Sequence, residues 1–284
     1  MNKTKAGLLP IEQLRPFEAH PFQVRDDESM EQLVESIRRE GIMTPILVRP
    51  LDTGEYEIIS GHRRVHACRR AGIEKIPALI RELGRDAAAI ALVDSNLHRE
   101  HILPSEKAFA YKMKMEAMNR QGQRTDLTSS QPATKSDSAR EIGKASNESR
   151  DTVFRYIRLT YLIPELLQKV DEGRIALTPA TELSYLTEEE QTNLLDAMEC
   201  EDCTPSLSQA VRLRKFSREG RLSKDVICAV MSEQKPNQKE QIRFRSEDLR
   251  KYFPRDYTEK EIRDDILKLL DMRQKKRERQ REAR

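Results

Sequence analysis

Apolar residues in the first hundred positions recur with two different spacings. From residue 27 to 40 they fall at i, i+3, i+4 and i+7, starting with Met30, which predicts one face of a helix that Gly41 ends. Shorter runs rich in β-branched residues and bounded by turn residues predict strands. One strand begins at Ile11, and three others occupy 41–49, 55–60 and 76–81. Further helices are predicted at 61–72 and 86–96. The mixture predicts an α+β fold for this part of the chain.

Helical spacing dominates the rest of the chain. Pro104 opens a long predicted helix that runs to Asn119. Residues 121–138 are mostly Gln, Thr, Ser and Asp with few large apolar side chains, so they are predicted to form a flexible linker. Beyond it the pattern predicts helices up to Leu222, a boundary at Pro236, a strand at 241–245 and an amphipathic helix at 259–272.

Composition favours several small modules. Charged residues make up 35% of the 284 residues and aromatic residues 5%, and tryptophan is absent. We therefore expect three domains, at residues 1–103, 104–235 and 236–284. Because no apolar run approaches the roughly 20 residues that span a bilayer, and no signal-peptide pattern opens the chain, a cytoplasmic protein without a membrane contact is expected.

The cysteines give a weak metal signal. Cys200 and Cys203 have the C-x-x-C spacing of a zinc site, but such a site needs four ligands, and only Cys228 follows. We expect reduced structural thiols. His98 and His101 are not expected to bind a transition metal either, because no carboxylate partners are evident beside them.

Residues 55–72 combine a strand, a glycine and a basic helix. The helix is predicted to start at Gly61, where the first backbone N–H groups have no partner within the helix. Arg63 and Arg64 stand in its first turn, where the positive end of the helix dipole disfavours cations. An anion bound there would remove this conflict, so we predict a phosphate site. A solvated basic helix face is the alternative that the pattern leaves open.

Residues 141–159 have the spacing of a helix-turn-helix. Gly143 supplies a small residue where two helices cross, and Asn147 tolerates a left-handed turn. Ser149 is suited to cap the second helix, whose exposed side would face base edges and phosphates. An ordinary helical hairpin is the alternative. The candidate DNA-binding residues are Ser149, Arg150, Thr152, Arg155 and Arg158.

Several segments, in order, resemble motifs of the ParB family of chromosome and plasmid partition proteins. Gly61-His-Arg-Arg-Val-His-Ala67 is similar to its G-E-R-R-x-R-A signature, and His20-Pro-Phe-Gln-Val-Arg25 to its N-P-x-Q-P-R segment. Residues 41–49 resemble G-x-x-x-P-I-x-V-R, 94–104 contain a match to E-N-x-Q-R, and the helix-turn-helix segment also resembles that of ParB proteins. The resemblance covers about residues 8–222, and it implies a ParB/sulfiredoxin-like nucleotide-binding domain, an all-α helix-turn-helix domain and a small C-terminal dimerisation segment.

The resemblance also implies that the N-terminal domain binds CTP and Mg²⁺. The corresponding nucleotide-binding residues are Gln23, Arg25, Gly41, Thr44, Pro45, Gly61, His62, Arg63, Arg64, Asn96 and Arg99. Asn96 would help to coordinate the metal, and the catalytic candidates are Asp94, Ser95 and Asn96. Ser95 stands where the family has glutamate, and serine cannot usefully accept a proton near neutral pH. Whether the chain is an enzyme stays open, and weak CTP turnover at most is expected.

The implied function is a DNA-binding partition protein of the nucleoid, acting as a CTP-gated clamp. It would be a homodimer, because two recognition helices match the half-sites of palindromic double-stranded DNA. A ParA-type ATPase partner is left open, since the usual arginine-, glycine- and leucine-rich N-terminus is absent. Two other functions are weighed: a transcriptional regulator or nucleoid-occlusion-like protein without CTP turnover, and a small-molecule kinase. The basic run at 273–284, with seven Lys/Arg and two Glu, suits either nonspecific DNA contact or an unstructured tail.

Overall fold

The computed structural model describes residues 4–97, 99, 101–125, 135–233, 252–253 and 258–282. The chain divides into two units, residues 1–233 and 234–284. The first contains the α+β part and the helices up to residue 231, and the described residues of the second form one long helix. The predicted α+β class is therefore confirmed.

The N-terminal part is built on a mixed five-stranded sheet with the order β1-β5-β3-β4-β2. Strands β1 and β5 pair antiparallel, as do β3 and β4, whereas β3 pairs parallel with β5 and β2 parallel with β4. The strands are β1 (Thr4–Pro10), β2 (Leu14–Arg15), β3 (Ile46–Pro50), β4 (Tyr56–Ser60) and β5 (Lys75–Arg81). Three helices belong to this part: α1 (Glu28–Glu40), α2 (His62–Ala71) and α3 (Arg85–Asn96).

The first strand corrects the prediction at the N-terminus. A strand was expected to begin at Ile11, but residues 11–13 form a 3-10 turn and β2 has only two residues. The long strand is β1, which lies at the edge of the sheet and leaves Leu8 exposed. Only Leu9 of this edge strand is buried, so its sequence lacks the alternation of apolar and polar residues that marks a half-buried strand.

Helices α1 and α2 share one hydrophobic core with the sheet. Met30, Val34 and Ile37 of α1 are buried there together with Val65 of α2, as the helical spacing predicted. The carboxylate of Asp27 caps α1 by accepting from the N–H of Met30 at 2.9 Å, and Gly41 ends the helix with a φ of 74°.

The remainder of the described chain is helical. The longest helix of the first unit is α4 (Pro104–Thr125). It is followed by α5 (Lys135–Ser146), α6 (Arg150–Arg158), α7 (Pro164–Asp171), α8 (Leu177–Leu183), α9 (Glu188–Cys200), α10 (Leu207–Arg218) and α11 (Lys224–Met231). The second unit contains α12 (Glu259–Glu282), which confirms and extends the helix predicted at 259–272. The predicted strand at 241–245 lies outside the described residues.

Helix α4 belongs to both halves of the first unit. A single hydrophobic cluster contains Leu92 of α3, Tyr111 and Met115 of α4, and Ile142 and Val153 of the helix-turn-helix. The domain border expected after residue 103 therefore adjoins a continuous core. The linker predicted at 121–138 is helical at both ends, because α4 continues to Thr125 and α5 begins at Lys135. In the part of the chain that the structure describes, no helix is long and apolar enough to cross a membrane.

Candidate anion-binding site and helix-turn-helix

A polar cavity of about 680 Å³ opens where the loop before α1, the start of α2 and the α3–α4 connection meet. Three guanidinium groups, of Arg25, Arg63 and Arg99, line it. Each comes from a different predicted motif, and Gln23 accompanies them. The other lining residues are Asp27, Ser29, His101, Ile102, Leu103 and Glu106.

Two of these arginines are held by their surroundings. From the first turn of α2, Arg63 reaches the start of α1, donating to Ser29 Oγ at 2.5 Å and lying 3.8 Å from Asp27 Oδ1. The Arg99 guanidinium lies 5.5 Å from the centroid of the Phe22 ring. Burial lowers the pKa of Arg99, Glu106 partly offsets this, and Arg63 lowers it further. A bound anion would favour the charged form of Arg99.

The start of α2 requires glycine. Gly61 has a φ of 106°, and a Cβ atom there would lie 2.7 Å from Ile46 Cγ2. No side chain of Gly61 covers the first N–H groups of the helix, which is the geometry expected of an anion-binding helix start. The phosphate site itself stays a prediction.

Arg64 is not among the residues that line the cavity. Its Nη1 donates to the backbone carbonyls of Thr44 at 2.5 Å and Pro45 at 2.8 Å, and burial lowers its pKa. The side chain therefore fixes the loop between α1 and β3. Three predicted nucleotide contacts, Gly41, Thr44 and Pro45, belong to this loop rather than to the lining of the cavity.

His62, a further predicted contact, is turned into the protein. Its ring lies against that of His20, with the two centroids 3.8 Å apart, and the Phe17 N–H donates to His62 Nε2 at 3.5 Å. Burial lowers the pKa of His62 to about 3, so this ring is uncharged at neutral pH. These are two positions at which the chain departs from the ParB-like motifs, and they are neighbours.

The predicted catalytic residues end α3 and are engaged with protein groups. The Asp94 carboxylate accepts from Lys114 Nζ at 2.5 Å, and Ser95 Oγ donates to the carbonyl of Leu92 at 2.9 Å. The buried Asn96 donates from Nδ2 to the same carbonyl at 2.7 Å, which turns its amide oxygen the opposite way. None of the three lines the cavity. In the described residues no group of three or more His, Cys, Asp or Glu could hold a metal ion.

Glu106 was not identified from the sequence. Its carboxylate is buried in the cavity wall, where it accepts from the N–H groups of Gln23 at 2.9 Å and Leu103 at 3.1 Å. The bond to Leu103 caps the start of α4. A glutamate three residues after the last non-helical position is the capping-box spacing, and this was the available signal.

The helix-turn-helix is formed as the spacing predicted. A Cβ atom at Gly143 would lie 2.5 Å from the carbonyl oxygen of Glu148, so the helices can cross only over a glycine. Asn147 occupies the left-handed region with a φ of 54°. Ser149 caps α6 by accepting from the Thr152 N–H at 3.1 Å, and Val153 is fully buried.

The predicted DNA-binding residues divide into two groups. Arg150 and Arg155 are exposed on α6, and Arg150 also donates to the adjacent Asp151. Arg158 instead lies between two aromatic rings, 4.4 Å from the centroid of Tyr161 and 3.9 Å from that of Tyr185. It donates to the carbonyl of Ser184 at 2.7 Å. Arg158 therefore anchors the end of α6 to α8.

The protein combines an α+β domain that contains a basic cavity with a helix-turn-helix, and one long helix joins the two. This combination defines its class. Residues 1–97 match the family model described as the ParB N-terminal domain. The chain thus carries a ParB N-terminal domain, and the resemblance to the ParB family that its motifs predicted is confirmed.

Named relatives extend this similarity beyond the N-terminal domain. The chain is 35% identical over 192 residues to the chromosome-partitioning protein Spo0J of Thermus thermophilus, covering 66% of this chain and 64% of that protein. It is 34% identical over 193 residues to the nucleoid occlusion protein of Listeria innocua, covering 67% and 62%. The matches thus span a little under two thirds of each relative's length.

Solved structures are also similar. One is the C-terminally truncated chromosome-partitioning protein ParB from Caulobacter crescentus complexed to the centromeric parS site, with 25% identity and a TM-score of 0.42 over 79% of this chain and 98% of that chain. The same protein complexed with CTP-γ-S gives 27% identity and a TM-score of 0.32 over 65% and 94%.

Proposed function

We propose that the chain is a partition protein of the ParB type, which binds double-stranded DNA through α6 and the triphosphate of CTP in the basic cavity. The observation that carries the nucleotide part is the convergence of Arg25, Arg63 and Arg99 on one cavity. Relatives that are named as chromosome-partitioning proteins support the choice of function.

The side chains of the cavity fit a triphosphate. Guanidinium forks suit phosphate oxygens, and the uncovered start of α2 offers N–H groups and the positive end of a helix dipole. Mg²⁺ prefers oxygen ligands and is usually held by phosphates together with one or two protein oxygens. The family resemblance assigns this role to the amide oxygen of Asn96. Because Asn96 is buried outside the lining of the cavity, its side chain would have to turn to reach a metal bound there, and the metal would neutralise phosphate charge.

The DNA part rests on the exposed side of α6. Arg150 and Arg155 are placed to contact base edges, and the capped start of the helix to contact phosphates. A homodimer would match a palindromic site, with α12 as its dimerisation element, because Leu267, Leu269 and Leu270 are exposed on that helix. DNA would promote the engagement of two N-terminal domains as a clamp on the nucleoid, and a ParA-type ATPase is an optional partner.

Calorimetry with CTP, ATP and GTP tests the nucleotide assignment. We expect CTP to bind with at least tenfold preference, and Arg63→Ala to lower its affinity at least tenfold. Arg70→Ala is the matched control: it lies on the same helix but pairs with Asp26 and Glu31 outside the cavity. Equal binding of all three nucleotides, or equal losses in the two variants, would refute the assignment.

One observation favours a second candidate, a DNA-binding regulator that has lost nucleotide use and so does not turn over CTP. Asp94 is engaged by Lys114, and Ser95 bonds to its own helix, so neither is poised to activate water. Specific DNA binding without measurable CTP affinity would select this regulator. Specific binding of both ligands would select the partition protein.

A further inference from the structure

Three consecutive residues in the first turn of α4 bind three different parts of the first unit. Ser105 donates to Asp171 at the end of α7, through its N–H at 2.9 Å and its hydroxyl at 2.5 Å. Glu106 accepts from the Gln23 N–H in the wall of the basic cavity. Lys107 donates to Glu148 Oε1 at 2.7 Å, in the turn of the helix-turn-helix.

Glu148 is the polar centre of the contact between α4 and that turn. Its second oxygen accepts from the hydroxyl of Tyr111, one turn further along α4, at 3.0 Å. Its N–H donates to the carbonyl of Gly143, and the next residue, Ser149, caps α6. The position of Glu148 is therefore tied both to the start of the DNA-binding helix and to α4.

This contact is shielded from water. The side chains of Glu148 and Lys107 are 14% and 25% exposed, and Lys107 Nζ lies 5.2 Å from the centroid of the Tyr156 ring. Because charges in such surroundings are costly to separate, a displacement of Glu148 is expected to move Lys107 with it. DNA phosphates at the start of α6 also place negative charge near Glu148, which strengthens its need for the ammonium group.

We propose that the Lys107–Glu148 ion pair couples DNA binding at α6 to nucleotide binding in the basic cavity through the first turn of α4. The proposal rests on the proposed function, for which it names the connecting residues. Lys107 and Glu148 are positioning residues: they act on Glu106 and the Gln23 loop and contact neither ligand. Occupancy of one site changes the affinity of the other, and by linkage both changes are equal.

The test compares CTP affinity with and without a saturating DNA duplex, selected from a random library by the full chain. In the unmodified protein the duplex is expected to change CTP affinity at least fivefold. Lys107→Met keeps the aliphatic stem but removes the charge, and it should bring this factor below twofold while each ligand alone binds within about threefold of normal. Glu148→Met should do the same, and the double variant should show no additional loss.

Lys112→Met is the matched control. Lys112 lies on the same helix and contacts Thr160 and the Tyr161 ring rather than the turn, so this variant should retain the full factor. The coupling is overturned if the duplex still changes CTP affinity at least fivefold in Lys107→Met. It is also overturned if Lys112→Met reduces that change as much as Lys107→Met does.

Amide hydrogen exchange separates this proposal from the nucleotide assignment. Without nucleotide, the duplex should change the protection of the Gln23 N–H, which bonds to Glu106, and Lys107→Met should abolish that change. If the protein binds no CTP but shows this exchange pattern, the assigned nucleotide is wrong and the coupling stands. If CTP binds but the protection of the Gln23 N–H is the same with and without DNA, the coupling is wrong and the assignment of CTP is retained.

Discussion

The imidazole rings of His20 and His62 lie 3.8 Å apart, centroid to centroid, with their planes tilted by 50°. Burial lowers the pKa of both rings, that of His62 to about 3. Groups facing the pair include Arg99 and Glu106, and Arg99 disfavours a charge on either ring. Protonation of either ring would therefore oppose the packing of the loop 17–22 against α2.

This stack predicts a loss of stability in acid. The pKa is near 6.5 in the unfolded chain and lower in the folded one, so the contribution is complete above about pH 6.5 and decreases as the pH falls towards 3. At two pH units below the pKa of the unfolded chain, the lowered pKa of His62 should reduce the free energy of unfolding by about 2–3 kcal/mol. Urea unfolding at pH 7 and pH 4.5 checks this, with His62→Phe expected to lose less stability than the unmodified protein. Equal losses would contradict it.

Arg63 and Arg64 should differ although they are adjacent. Arg63→Ala removes a partly exposed side chain from the cavity, so it should lower CTP affinity at least tenfold and cost under about 1 kcal/mol of stability. Arg64→Ala leaves the carbonyls of Thr44 and Pro45 without their donor, which should cost about 1–3 kcal/mol as well as weaken binding. Calorimetry and thermal unfolding measure the two effects. Equal stability of the two variants would show that Arg64 does not fix the loop.

Arg155 and Arg158 should differ in the same way on α6. Arg155→Ala should cost about 1–3 kcal/mol of DNA affinity if the exposed side chain reaches a base, and it should relax sequence preference. Arg158→Ala should lower the unfolding temperature by removing the contacts with Tyr161, Tyr185 and Ser184. Fluorescence anisotropy with selected and scrambled duplexes separates these effects. A uniform loss on all duplexes would make Arg155 a phosphate contact.

Turnover of CTP should be slow. Ser95 lacks a carboxylate, and the carboxylate of Asp94 is paired with the buried Lys114. Phosphate release with CTP, Mg²⁺ and selected DNA should rise in Ser95→Glu and stay unchanged in Asp94→Asn. The amide is preferable to alanine, because it can still accept from Lys114 and avoids an isolated buried ammonium group. If Asp94→Asn abolishes turnover and Ser95→Glu has no effect, Asp94 is the catalytic group.

The crossing at Gly143 should not tolerate a methyl group. In Gly143→Ala the new Cβ would meet a backbone oxygen at 2.5 Å, so the helices must separate and DNA binding should fall at least tenfold. Gly84→Ala is a suitable control, because its Cβ would meet nothing within 4 Å and its φ is −64°. Circular dichroism should show that both variants fold. Normal DNA binding by Gly143→Ala would contradict the assignment of the helix-turn-helix.

Local patterns predicted the parts of the fold that local physics determines. The spacing of Met30, Val34 and Ile37 identified the buried face of α1, and Gly143 with Asn147 identified the turn before α6. In each case one helix or one turn contains all the information. The linker prediction failed at its ends, because a polar composition does not prevent a helix that packs on only one side.

The sequence alone does not show which groups the long side chains contact in the fold. Arg64 binds a carbonyl 20 residues away, and Arg158 one 26 residues away. An arginine in a basic motif looks the same whether it faces an anion, a carbonyl or an aromatic ring, and only the tertiary fold decides among them. For the same reason, Glu106 was seen as a helix residue rather than as part of the cavity wall.

The shared hydrophobic cluster of α4 restricts how the first unit can rearrange. Leu92 on one side and Val153 on the other are buried against the same helix, so neither neighbour can leave α4 without exposing apolar surface to water. An opened arrangement of this chain must therefore supply a substitute surface for whichever side of α4 is uncovered.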